Sequence, residues 1–239
     1  MSEPDRWFTK SAEVYDHIYE QVVDYDHEAD VVDQLVRERL ETAATLNEFA
    51  CGTGQFLERL ANRYDVVGSD ISAEMVAVSN RKIPDVEVRH GDMRTIDWGR
   101  TFDVALCLFS SIGYVEDTAT AVANMARHLV PGGVLIVDGW LRPEAAIDGF
   151  LSGDVYPAAD RIVARTSRSR VVDDRVIMTM SHLVTTRDDS SFFEERHEMW
   201  LRSDSQYVTA FEHGGLERVA IVPSPWPNRS RFIGTRAGA

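Results

Sequence analysis

Glu48, Gly52 and Gly54 stand in the spacing E-x-x-x-G-x-G within "LNEFACGTGQF" (46–56), where a short apolar run ends. Two glycines one residue apart let backbone N–H groups approach a ligand where a strand turns into a helix. A carboxylate closes the next apolar run, Asp70, and another follows in "GDM" (91–93), Asp92. A carboxylate in that place accepts two hydrogen bonds from vicinal ribose hydroxyls, whatever hangs from the ribose. A phosphate-cradling P-loop needs a lysine after its glycines, and none lies near Gly52 or Gly54. The dinucleotide fingerprint needs a third small residue, and Leu57 occupies that position. This excludes the P-loop and disfavours NAD.

S-adenosylmethionine (SAM) carries no phosphate, so its turn has only to let backbone approach a ribose and an amino-acid tail. Asp92 would accept from the adenine amino group, with Met93 offering an apolar face. Methyl transfer from a sulfonium is an in-line displacement with a good leaving group, so it needs alignment and exclusion of water above all. An amine acceptor must also lose a proton. Such chemistry leaves a faint signature, and the chain shows no triad or carboxylate pair. No Cys or His pair has metal-ligand spacing, so no metal is expected.

The elements that would position these groups follow from hydrophobic periodicity. Helices are expected over 11–24 and 27–40, then strand 45–50 into the glycine turn and helix 55–63. Strand 65–70, a helix capped by Ser72 and running to about Lys82, and strand 85–90 come next. The nearly continuous apolar run 101–111 reads as a central parallel strand, followed by helix 118–129, a stop at "PGG" (131–133) and the strand "VLIVDGW". This alternation predicts an α/β fold, a Rossmann-like doubly wound seven-stranded sheet. After Trp140, Val-, Thr- and aromatic-rich segments at 161–172, 175–186 and 192–202 read as an inserted antiparallel β lobe. A helix over 204–213 and strands 216–222 and 230–235, joined by the proline-rich "PSPWPN", would complete the main sheet. The expected units are a core with an N-terminal helical lid (1–140), the lobe (141–203), for acceptor binding or dimerisation, and the returning elements (204–239).

The 239-residue chain carries a formal charge of −14, which argues against nucleic acid as the main partner. No run approaches the roughly 20 apolar residues of a membrane span, and the opening "MSEPDRWFTK" lacks the character of a signal peptide. With only Cys51 and Cys107, both in apolar runs, a cytoplasmic protein with reduced thiols is expected.

Taken together, "EFACGTG", Asp70 with "SAEM", "GDM", "FDVALCLFSSIGY" and "LVPGG" resemble the class I SAM-dependent methyltransferases over about residues 12–140. Further stretches, "YDHIY" with "DY" at 24–25, "FSSIGY", "VDGWLRPE" followed by "DGF", and "FEHGGL", are similar to the N-methyltransferases of TDP-linked 3-aminosugars in antibiotic biosynthesis. Asp138–Gly139 and Leu141 depart from that family's usual Glu-Pro and tryptophan, at the substrate-facing end. The resemblance implies cofactor contacts from Tyr15, Tyr25, Glu48, Ala50, Gly52, Gly54, Asp70, Ile71, Met75, Asp92, Met93 and Phe109. Tyr19 would stand near the transferring methyl group, with Tyr114 a second catalytic candidate. A nucleotide sugar's diphosphate needs cationic partners. Arg165, within the alternating set Arg161, Arg165, Arg168 and Arg170, is a candidate, with Arg142, Arg229 and Arg231 as rivals. Trp140 and Trp226 would stack on the base or simply pack. Other small-molecule acceptors, a non-catalytic SAM- or nucleotide-binding module and a homodimer joined through the lobe are also compatible with the sequence.

Overall fold

The computed structural model describes residues 7–238. The expectation about a signal peptide rests partly on residues 1–6, which lie outside the described residues. No helix among the described residues is long and apolar enough to cross a membrane.

The chain begins with helices α1 (Ala12–Tyr19) and α2 (Tyr25–Arg37), followed by β1 (Thr45–Phe49), α3 (Gln55–Leu60), β2 (Asp65–Asp70), α4 (Ala73–Lys82) and β3 (Glu87–His90). Then come β4 (Phe102–Cys107), α5 (Thr118–Arg127) and β5 (Leu129–Asp138). The strands β6 (Leu151–Pro157), β7 (Arg161–Val172), β8 (Arg175–Thr186) and β9 (Ser190–Trp200) precede α6 (Asp204–His213), β10 (Leu216–Pro223) and β11 (Ser230–Arg236). One sheet has the order β10-β11-β5-β4-β1-β2-β3, with β11 antiparallel to β5 and to β10. The fold class is therefore the expected Rossmann-like one. Its order reverses between β1 and β4, both buried on two faces, and ligands of such sheets bind at the carboxyl ends beside that reversal.

Four differences from expectation have local causes. The run from Leu108 leaves the strand: Phe109 and Ser110 take positive φ and a 3-10 turn, Ser111–Tyr114, follows. "PGG" does not stop a helix; α5 has already ended at Arg127, and the segment lies within β5, where Gly132 at φ +83° accompanies a register shift against β4. Strand β6 went unpredicted because all its residues except Tyr156 are exposed, which removes the hydrophobic pattern that marks a strand. Gly68 on β2 supplies the close helix–strand approach that a third glycine after β1 would have given. A Cβ there would sit 2.5 Å from the Leu57 side chain, so a large residue fits where the dinucleotide fingerprint wants a small one.

The second sheet, β6-β7-β8-β9, is an antiparallel meander. Side chains alternate across it, so odd positions of β7 (Arg165, Ser167, Ser169) share a face with Met178 and Met180 of β8. That face lines a cavity against the main sheet.

Candidate active site

Two cavities of about 550 and 610 Å³ meet at the carboxyl ends of the parallel strands. Phe8, Ala50, Asp70, Ser111 and Tyr114 line both and form the waist between them. Asp70 is held there by Gly52 N–H on one carboxylate oxygen and Ser72 N–H on the other, each at 2.8 Å. It is 8% exposed, and burial raises its pKa against those backbone donors.

Glu48 projects from buried β1 into the smaller cavity, and its Oε2 has no hydrogen-bond partner among the described residues. The donors of the turn go elsewhere, Gly52 N–H to Asp70 and Cys51 N–H to the Ser69 carbonyl. Burial, reinforced by nearby Asp70, drives the Glu48 pKa well above the carboxylate range. An unpaired buried carboxyl is costly, and a cationic ligand group beside it removes that cost. The residues thus fit SAM: an ammonium partner for Glu48, an acceptor for ribose at Asp70 and, beyond, a cleft that mixes apolar and charged side chains.

The larger cavity holds that cleft. Ile71, Asp92 and Met93 line it, with Met93 only 9% exposed. Both Asp92 oxygens already accept from the Arg94 side chain, which holds the carboxyl below its ordinary range despite partial burial. Its remaining lone pairs are what a ligand would meet. Gly54 is a correction: it lines neither cavity. It sits at φ +78° as the N-cap of α3, and a Cβ would meet Ser79 Oγ at 2.6 Å and Ile83 at 2.8 Å. Its lack of a side chain serves packing against α4.

Aromatic rings close the smaller cavity. Tyr15 and Tyr19 pack at 4.4 Å, Tyr19 meets Phe109 edge-on at 5.2 Å, and Tyr25 packs on Phe56 at 5.3 Å. Met75 reaches the same cavity from α4. The lid helix α1 is fastened by Asp16, which pairs with Lys82 at 2.9 Å and accepts from the Thr53 hydroxyl. Trp7 and Phe8, unmarked by any periodicity, pack on Tyr114 at 4.8 and 5.9 Å.

The arginines separate clearly. Arg165 faces the smaller cavity, its guanidinium 5.2 Å from the Tyr19 ring and hydrogen-bonded to the Tyr156 hydroxyl. Arg168 and Arg170, of opposite parity, are exposed on the other face, and Arg161 pairs with Asp160. Arg229 lies 4.1 Å from the Trp140 ring and 5.4 Å from Trp226, with a hydrogen bond to the Ser110 hydroxyl. Desolvation lowers its pKa to about 10, as expected of a buried cation wanting an anion. Two rivals fall away. Arg231 is 1% exposed and committed to Asp138 and Glu28. Arg142 lines neither cavity and sits 3.6 Å from Asp204. His128, at the C-terminal end of α5, accepts the Trp98 N–H and bonds the Asn124 carbonyl of that helix. No cluster of metal-ligating side chains occurs among the described residues.

Comparison with known proteins follows from this geometry. Residues 47–133 match the family model for a methyltransferase domain. The dTDP-4-amino-2,3,4,6-tetradeoxy-D-glucose N,N-dimethyltransferase of Saccharopolyspora spinosa is 36% identical, over 94% of this chain and 92% of its own. The crystal structure of DesVI from Streptomyces venezuelae superposes with a TM-score of 0.90 at 35% identity, covering 95% of this chain and 99% of that one. SAM-bound CalS10, an amino pentose methyltransferase from Micromonospora echinaspora, gives 0.84 at 34% identity, covering 94% and 97%.

Proposed function

This chain belongs to the SAM-dependent N-methyltransferases of nucleotide-linked aminosugars, and from that premise we propose that its own acceptor is the amino group of a TDP-aminodeoxysugar. The observation that carries the reading is the double cavity. A cofactor-sized cleft runs past Asp92 and Met93 to the waist at Asp70, and beyond it a second chamber holds Glu48 and a buried cation, Arg229, that pairs with no carboxylate among the described residues.

Across the two cavities Glu48 would hold the amino group of SAM, Asp70 at the waist its ribose hydroxyls, and Ile71, Met93 and Asp92 in the larger cavity its adenine. Ala50, Gly52, Met75 and Phe109 shape the wall. Bound there, SAM supplies an electrophilic methyl group. Tyr19 orients the amine, and the tilted aromatic lid excludes water around it. Met178 and Met180 give a soft apolar wall to a deoxygenated sugar face. Arg229 and Arg165 take the diphosphate, and Trp140 and Trp226 frame the nucleotide. Residues 1–140 thus supply the cofactor groups, and the lobe at 141–203 shares the acceptor side with Tyr19, Trp140 and the returning segment 204–239, which carries Trp226 and Arg229. Both cysteines are buried free thiols, in keeping with a cytoplasmic enzyme.

The row Val155, Ala164, Leu183, Phe192 crosses the outer face of the second sheet, with Val155 63% and Phe192 65% exposed. We assign that face to a homodimer; a concentration-independent monomer in sedimentation velocity contradicts it.

The acceptor reading is tested by incubating enzyme and SAM with TDP-3-amino- and TDP-4-aminodeoxysugars and with the same sugars freed of TDP. Methylation of a TDP-linked amine and little of the free sugar is expected. Equal rates for both remove the diphosphate from recognition, and no transfer to any of them overturns the acceptor.

A further inference from the structure

Behind Tyr114, away from the cavities, lies a line of buried polar groups that cofactor binding does not use. The Tyr114 hydroxyl is 2.9 Å from His197 Nδ1. His197, on β9, is 0% exposed, and its Nε2 has no hydrogen-bond partner among the described residues. That nitrogen faces Glu195 Oε2, itself buried and unpartnered, at 3.7 Å. The other Glu195 oxygen accepts the backbone N–H groups of Lys10 at 2.8 Å and Ser11 at 3.1 Å. Two orphaned atoms that point at each other in a dry site define a tautomer. With the proton on Nε2 toward the carboxylate, Nδ1 is free to accept from Tyr114.

We propose that Tyr114, His197 and Glu195 form a proton relay that removes the proton an amine acceptor must lose. The inference rests on the acceptor being an amine. The Tyr114 oxygen takes a proton from the acceptor nitrogen as its own hydroxyl proton passes to His197 Nδ1. The amine thereby gains the lone pair that attacks the methyl carbon, and no redox change occurs. The imidazolium so formed is balanced by Glu195, and its proton returns through the tyrosine to water once product leaves. His197 and Glu195 act through Tyr114 and are positioning residues; Tyr114 is the group at the waist of both cavities.

The surroundings agree with these roles. The neighbouring His197 imidazole and the Ser11 and Lys10 donors hold the Glu195 carboxyl down at about 2 against the opposing effect of burial, so it is ionised whenever the enzyme works. Burial raises the Tyr114 pKa far above 10, so it carries protons as a neutral hydroxyl rather than as phenolate. Other groups facing the relay are His182 on β8, whose pKa burial lowers to about 4, and Phe8, whose ring lies tilted 4.8 Å from His197. Tyr19, Asp70 and Arg229 act on Tyr114 across the cavity, and Arg165 of β7 acts on His182. A purely structural strut between β9 and the 3-10 turn would need neither an oriented imidazole nor a carboxylate behind it.

The test compares wild type, His197→Gln and Tyr114→Phe for SAM binding and for kcat on a TDP-aminodeoxysugar across pH. Wild-type transfer comes first: its absence overturns the amine reading rather than the relay alone. With wild type active, each variant is expected to bind SAM normally and to lose about a hundredfold in kcat at neutral pH. The loss should recover with rising pH at about tenfold per unit, as solvent deprotonates the amine instead. A variant that keeps the wild-type rate, or one whose loss is the same at every pH, overturns the relay. Tyr114→Phe preserves the ring packing, so the outcome is readable even where His197→Gln does not fold.

Discussion

Glu48 and Asp70 sit about one strand apart in the sheet, and the fold treats them differently. Asp70 has backbone donors on both oxygens, whereas Glu48 has an oxygen with none and a pKa pushed well up by burial. A carboxyl whose folded pKa is raised favours the folded state while protonated. That advantage is lost as pH rises from the ordinary carboxylate range, about 4.3, through the folded value. Glu48→Gln should therefore raise the melting temperature of the cofactor-free protein at neutral pH and flatten its decline with pH. The same change should weaken SAM binding, because the ammonium loses its partner; calorimetry and thermal melts read both. Asp70→Ala is expected to weaken SAM at least about tenfold, two lost charge-assisted hydrogen bonds being worth more than 1.4 kcal/mol. Tyr19→Phe should lower kcat on the amine with little change in SAM affinity, as expected of a hydroxyl used in the transition state. The carboxylate series was legible in the sequence because SAM-type sites place such groups at strand ends, which hydrophobic runs reveal. His197 was not. It lies in the charged stretch "FFEERHEMW", and only the pairing of β8 with β9 and the seating of β9 on the 3-10 turn bring it to Tyr114.

At the scale of elements, close packing decides where the site groups point. The 3-10 turn after β4 lies so near the end of β5 that a Cβ on Gly113 would be 2.7 Å from the Trp140 Cβ and 2.9 Å from Met199 Cε. Gly113→Ala should cost about 1–3 kcal/mol by overpacking and displace Trp140 from beneath Arg229. A denaturant titration reads the first effect, and a raised KM for the nucleotide sugar at unchanged SAM affinity reads the second. Arg231 joins β11 to β5 and α2 through Asp138 and Glu28, and removing it strands two buried carboxylates. Arg231→Met is expected to cost about 3–5 kcal/mol. The arginines of β7 were visible in the sequence, but they fall on both parities, and their spacing does not tell which parity faces the ligand. The meander's register does: Arg165 pairs with Asp154 and His182, both on the inner face. Strand β6 and the segment at Trp7–Phe8 stayed hidden for a related reason, since exposed strands and single aromatics carry no period.

Across the whole molecule, the parallel sheet and the meander divide the labour. The sheet's switch region presents fixed backbone donors and carboxylates, while the meander's inner face supplies Arg165, the methionines and the relay behind Tyr114. The N-terminal segment spans the two, because Lys10 and Ser11 are bound to Glu195 while Asp16 is bound to Lys82. Depression of the Glu195 carboxyl means that this fastening is fully present above the ordinary carboxylate range and is lost as pH falls toward about 2. The central claim is that one SAM methyl group passes to a sugar nitrogen held between these two layers. Its most direct measurement is transfer from methyl-labelled SAM to a TDP-aminodeoxysugar, with the product's labelled carbon located by NMR. Label on the amine nitrogen and stoichiometric demethylated cofactor are expected. Label on a sugar oxygen, or cofactor bound without any transfer to the amine, would contradict the central claim.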